Sequence, residues 1–189
     1  MIIAKFIKNI TEYNKLGKAN IFPCKYGCTK CGYMGRLHRH GFYTRNVITR
    51  SSSYRIYILR IKCPSCGKTH SLLPSFLIPY YQYSFDAIFL CLYYSYVLEY
   101  SYNKIVSRFK ELNTQSYFSI SNIYSFRKRM SKVTPVTNSF FAHFDEYYYD
   151  MHNPEAKRII EKIKTFIDSN EDFNKSYFIK MPKPFFSKP

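Results

Sequence analysis

Two short cysteine motifs constrain this chain more than anything else in it: Cys28-Thr29-Lys30-Cys31-Gly32 and Cys63-Pro64-Ser65-Cys66-Gly67, with 31 residues between Cys31 and Cys63. Cysteines three apart wrap a tight turn, so that both thiolates and nearby backbone N–H groups face one ion. The following glycine supplies the backbone freedom such a turn needs. Two of these turns joined by a hairpin give a tetrahedral four-thiolate site of the closed, structural kind. Its metal, Zn2+, would supply on the order of 10 kcal/mol of folding free energy. The competing readings are a redox Cys-x-x-Cys pair and cysteines that are merely buried, and two matched pairs favour metal. Cys24, His38, His40 and His70 are the residues that would replace one of the four. Cys91 sits in the middle of an apolar stretch and reads as a core residue.

Charge is the second constraint. The chain has 189 residues, 29 basic against 12 acidic, for a net charge of +17. Residues 1–80 carry 14 basic and 1 acidic side chains, residues 101–132 a net +6, and residues 133–189 balance to 0. A hydrophobic share of 46% argues for a packed core rather than disorder. Two basic blocks in a foldable chain point to a polyanionic partner, nucleic acid before a membrane. The longest uncharged apolar stretch, Ala87–Leu98, is 12 residues, bracketed by Asp86 and Glu99. That is short of the roughly 18–20 residues needed to cross a bilayer. Met1–Ile10, with Lys5 and Lys8, lacks the pattern of a signal peptide. The expectation is therefore a cytoplasmic protein without membrane contact, in which paired cysteines mean metal rather than disulfides.

The spacing of apolar residues and breakers predicts an α+β chain: a small zinc-ribbon β-hairpin domain followed by an all-α helix-turn-helix bundle. Residues 1–20 read as a lead-in segment, 21–79 as the ribbon, 80–134 as the helix-turn-helix, and 135–189 as a helical extension with an irregular tail. Tyr43–Arg50 and Tyr54–Lys62 are rich in β-branched and aromatic residues around Ser51-Ser52-Ser53, a hairpin pattern. Ile56 and Ile58 share one face and Arg55 the other, with alternation failing at Leu59–Ile61. Ser84 and Ser101 are suited to cap helices running to about Glu99 and Leu112. Ser119 or Ser121 opens a third helix with Ile123, Phe126, Met130 and Val133 on one face, ended by Pro135. A last helix follows Asn153-Pro154, with Ile159, Ile160, Ile163 and Ile167 on one face. The tail from Asn170 shows no periodicity.

In that frame the third helix is the DNA reader. Ser121, Asn122, Ser125 and Arg129 lie off its apolar stripe, where hydroxyl, amide and guanidinium groups meet base edges. Arg127, Lys128 and Lys132 suit phosphates. On the ribbon, Arg36, Arg39, Arg45 and Arg55, with Arg50, Arg60, Lys62 and Lys68, form a basic hairpin interleaved with Tyr43, Tyr54 and Tyr57. Such guanidinium groups suit phosphates, and the rings suit unpaired bases. A plain three-helix bundle with a charged last turn and a basic face without partner are the bland alternatives. His38-Arg39-His40 puts two histidines on one side of a strand, as metal-dependent tyrosine nucleases require, but Arg39 stands where those enzymes want an apolar residue.

His-Gly-Phe-Tyr-Thr-Arg at His40–Arg45 and Arg-Ile-Lys-Cys-Pro-Ser-Cys-Gly-Lys-Thr-His-Ser-Leu-Leu-Pro-Ser-Phe-Leu-Ile-Pro-Tyr at Arg60–Tyr80 resemble a bacterial family of uncharacterised, transposase-like proteins from low-GC genomes. The resemblance covers roughly residues 20–135. It implies a zinc ribbon preceding a helix-turn-helix, with Cys28, Cys31, Cys63 and Cys66 as the metal ligands.

Three functions follow as expectations. The first is a zinc-stabilised, sequence-specific binder of double-stranded DNA, acting as accessory or regulator of a mobile element, with a transposase or other mobile-element protein as partner. A second is an enzyme, a complete transposase or nuclease, or else the DNA-binding part of a transposase whose catalytic core is absent from this chain. An RNase H-like core needs three acidic residues on a β-rich unit of more than about 100 residues. Only 56 residues follow Val133, and Asp145, Glu146, Asp150 and Glu155 read as a solvated helical surface, so no catalytic residue is expected. The third is a zinc-ribbon module for protein interaction.

Overall fold

The longest regular features are two strands whose side chains alternate. In the computed structural model, which describes residues 2–4, 9–114, 117–144, 155–169, 171–181 and 183–186, they are β2 (His38–Ile48) and β3 (Ser53–Lys62). They pair antiparallel around a four-residue turn. The Thr49 hydroxyl closes that turn, donating to the Ser52 carbonyl at 2.8 Å and accepting from the Ser52 N–H at 3.0 Å. This is the local hydroxyl chemistry that makes Ser and Thr turn formers. β4 (Thr69–Pro74) adds antiparallel to β3, and β1 (Ile2–Ala4) adds parallel to β4, giving the sheet order β1-β4-β3-β2.

The failed alternation at Leu59–Ile61 has a cause. Ile56 and Ile58 are buried on one face, while Leu59 and Ile61 are buried on the other. The second face is covered by the segment before β2: α1 (Ile10–Leu16), a 3-10 turn (Gly17–Ala19) and Phe22. Tyr13 of α1 is fully buried there, and its hydroxyl donates to the Tyr57 carbonyl at 2.7 Å. A strand covered on both faces need not alternate.

Five helices follow: α2 (Phe85–Tyr96), α3 (Tyr102–Leu112), α4 (Ile120–Phe141), α5 (Ala156–Asp168) and α6 (Phe173–Lys180). Ser101 caps α3, accepting from the Lys104 N–H at 3.4 Å. Ser84 stands at the start of α2, but its hydroxyl donates to the Ile48 carbonyl and to Asp86 rather than capping. The helices share a core of Ile88, Phe109, Phe126, Phe140, Ile160 and Phe173, separate from the core of the sheet. Leu77 belongs to the sheet core and Ile78 to the helical core.

Three sequence expectations are corrected. Pro135 does not end the third helix, because α4 continues to Phe141. Pro inside a helix costs roughly 3 kcal/mol. Here the turns beyond it bury Thr137, Asn138, Phe140 and Phe141, and each buried Phe returns about 1.5–3 kcal/mol. Around the proline, the Thr134, Thr137 and Ser139 hydroxyls bond back to the carbonyls four residues earlier. The tail is not irregular throughout. α6 is capped by Asp172, whose Oδ1 accepts from the Lys175 N–H at 3.1 Å, and it is anchored by buried Phe173, Asn174 and Tyr177. The strand expected from Tyr43 begins at His38, and β1 and β4 carried no sequence expectation. Lys5 and Lys8, the Asn153-Pro154 breaker, and Asp145, Glu146 and Asp150 lie outside the described residues.

Candidate metal centre and basic surface

Both cysteine turns have one construction. In the first, the Gly32 N–H donates to the Cys28 carbonyl at 3.0 Å and the Cys28 N–H to the Tyr33 carbonyl at 2.7 Å. In the second, the Gly67 N–H donates to the Cys63 carbonyl at 3.0 Å and the Cys63 N–H to the Lys68 carbonyl at 2.9 Å. Gly32 and Gly67 have φ of 74° and 68°, the left-handed region open to glycine at little cost. Each turn closes a pair of antiparallel segments, at the Tyr26–Arg36 bridge and at the Lys62–Thr69 pair.

The fold brings the two turns together. The Sγ atoms of Cys28, Cys31, Cys63 and Cys66 all lie within 4.8 Å of one another, and this group could hold a metal ion. Cys28 and Cys63 are buried while Cys31 and Cys66 are exposed, and none of the six cysteines is in a disulfide. The nearest approaches run across the two turns, Cys28 to Cys66 at 3.7 Å and Cys31 to Cys63 at 3.8 Å. The Lys30 backbone N–H is the main influence pulling the Cys28 thiol down to about 5, against burial and with help from His70. Cys66 is raised to about 11. The Lys68 N–H pulls it down, but burial and hydrogen bonds from the other three sulfurs outweigh that pull.

Among the alternative ligands, His70 stands beside the set rather than in it. It is buried, with Nε2 3.4 Å from Cys28 Sγ. Cys24 is exposed and accepts from the Arg36 guanidinium at 3.2 Å. His38 and His40 are exposed, and a bulge between Arg39 and Gly41 interrupts the alternation that would put them on one side. Cys91 is fully buried, and burial pushes its thiol up to about 12.

The ten residues expected to meet DNA divide into two groups. Arg39, Ser121, Ser125 and Lys128 are exposed, as are Arg36 with its bond to Cys24 and Arg55, which donates to the Thr44 hydroxyl at 3.3 Å. The other four have partners within the chain. Arg45 donates to the Ile78 and Tyr81 carbonyls, tying β2 to the segment that enters the helices. Asn122 Oδ1 accepts from the Ser119 N–H at 2.9 Å as part of the α4 cap. Arg127 donates to Ser95 at 2.5 Å and lies over the Tyr96 ring at 4.1 Å. Arg129 donates to the Tyr81 hydroxyl at 3.4 Å. Sequence spacing places a residue on a helix face but not its partner on another element, so these commitments had no local signal. Among the described residues, Arg50, Arg108, Lys157 and Lys164 form ion pairs with carboxylates. Arg36, Arg39, Arg55, Arg60 and Lys128 form none.

Among the described residues, fold and site together define a mixed α+β architecture of a four-stranded sheet and six helices, with a four-cysteine cluster that could hold a metal ion. Residues 28–104, from the first clustered cysteine into α3, match a family model described as a domain of unknown function (DUF6431). No curated protein and no solved structure matches the chain. No helix among the described residues is long and apolar enough to cross a membrane.

Proposed function

We propose that this chain is a zinc-stabilised DNA-binding protein, in which a zinc ribbon supports a helix-turn-helix and α4 enters the major groove. Zinc is supported by the donor set and its spacing. Four thiolates at about 2.3 Å from one ion stand about 3.8 Å apart at the corners of a tetrahedron; here all four sulfurs lie within 4.8 Å of one another, with two pairs at 3.7 and 3.8 Å. Zinc bound there would lock the two turns to each other and supply no reactivity, since all four positions are taken by protein. His70 would hydrogen-bond Cys28 from outside the ligand set.

The observation that carries DNA binding is the outer face of α4. Ser121, Ser125, Lys128 and Lys132 follow one another at helical spacing, all exposed, with Tyr124 59% exposed beside them. The opposite face carries Ile123, Phe126 and Met130 into the core. Hydroxyls and cations without a carboxylate among them suit base edges and phosphates. α2 and α3, joined by five residues, would brace that helix. Association with a mobile element rests on the resemblance of Arg60–Tyr80, and the chain would act in the cytoplasm by binding alone.

Selection of bound sequences from random duplex DNA by the zinc-loaded protein tests this reading. One enriched motif is expected, and Lys128→Ala should reduce the salt slope of binding by about one unit. Affinity that ignores salt would refute it.

A further inference from the structure

We infer that the cavity between β3 and the strands flanking the first cysteine turn binds one unpaired nucleotide of a nucleic-acid strand, a role that rests on the DNA-binding reading above. The cavity holds about 310 Å³, the low end of the range for small-ligand sites. That is room for a nucleotide and too little for a helix. Phe22, Leu59 and Ile61 close it from beneath and are themselves almost wholly buried, so the surfaces a ligand reaches are those of Pro23, Cys24 and the basic residues. Its rim is cationic, with Lys25, Arg36 and Arg39.

Base and phosphate would each find a counterpart. The Arg39 guanidinium lies 5.9 Å from the centre of the buried Phe22 ring, and Arg39 itself is exposed, so its planar cation is open to stack on a base. Among the described residues, the acceptor of Arg36 is the Cys24 sulfur, at 3.2 Å. Sulfur accepts weakly, and a phosphate oxygen would replace it with a charge-assisted bond. Tyr26, bridged to Arg36 and 66% exposed, extends the surface for a neighbouring base. A base inside a duplex already has both faces stacked and cannot also stack on Arg39 or Tyr26, so the occupant is unpaired.

The test uses the zinc-loaded full chain and two probes, a blunt duplex and the same duplex with a short single-stranded thymidine overhang. The overhang should bind about tenfold tighter, within the range of one stacked base. Arg39→Ala should erase the ratio, with Arg36→Ala as the second variant should the first fail to fold. An overhang base carrying an activated pyridyl disulfide should exchange onto the Cys24 thiolate with release of the pyridine thiol, and the same base placed within the duplex should not. Equal affinity and no trapping would overturn the cavity's role while leaving duplex binding intact. Loss of all binding would overturn both readings. Trapping of the unpaired base by a protein without duplex affinity would support the cavity and refute the role of α4.

Discussion

Arg45→Met separates a structural cation from a DNA-contacting one. The substitution keeps the aliphatic stem and removes the guanidinium that bridges β2 to the Ile78 and Tyr81 carbonyls. Bonds from a charged donor are worth about 1.5–3 kcal/mol each, and an acceptor left unpaired in the interior costs a comparable amount. Ile78 is fully buried, so water does not replace the lost donor, whereas Tyr81 is half-exposed and its carbonyl can be rehydrated. Counting one full bond and part of another gives about 3 kcal/mol. For a chain of this length, each kcal/mol moves Tm by about 2–4 °C, so Tm should fall by about 6–12 °C. Urea unfolding at neutral pH should show the same loss with m unchanged. The salt dependence of DNA binding, measured well below the new Tm, should keep its slope. A stability change within about 0.5 kcal/mol, together with a slope reduced by one unit, would refute the reasoning and return Arg45 to the phosphate backbone.

Removing the metal with a chelator, or Cys63→Ser, should abolish the unfolding transition of the sheet while helical circular dichroism persists, because the helices have a core of their own. A chelated protein with an unchanged melting curve would defeat the metal assignment. The Cys91 thiol, held up to about 12 by burial, keeps its proton in the native state while the unfolded chain loses it above about 8.5. Native stability should therefore fall as pH rises from about 8.5 to 12, by at most about 1.4 kcal/mol per unit from this group, and Cys91→Ala should show a correspondingly shallower slope in urea titrations. Equal slopes would contradict the burial argument. Pro135→Ala should stabilise the chain by about 1–3 kcal/mol, since Pro135 is exposed and the helix already runs through it. A lower urea midpoint would show that the proline sets a bend the core needs.

What was legible in the sequence was local. The cysteine turns are written in five residues each, with the glycine that their φ requires. The β2–β3 hairpin and the apolar stripe of α3 follow from period and turn residues. What was not legible depends on distant partners. α6 has no apolar stripe to speak of, yet its Asn174 donates to the carbonyls of Ser75 and Leu77 at 2.7 and 2.8 Å. The helix beyond Pro135 persists because Phe140 and Phe141 have α5 and α6 to pack against. The same blindness applied to the surface. Arg127 and Lys128 are neighbours in sequence, but only Arg127 finds Ser95 and Tyr96.

The pairing of β1 with β4 bears on the order in which the chain can assemble. Ile2 is in register with Leu72, and a few residues later the Ser75 hydroxyl donates to Asp172 while the Ser75 and Leu77 carbonyls accept from Asn174. The stretch 72–77 is therefore a knot tied by segments roughly 70 residues upstream and 100 downstream. Loops of that length close slowly, and their entropy must be met before any contact rewards it. On the ribosome the cysteine turns and the hairpin can form as soon as β4 emerges, whereas the last ties to 72–77 wait for α6. A nascent chain would hold its metal site well before it holds its final shape.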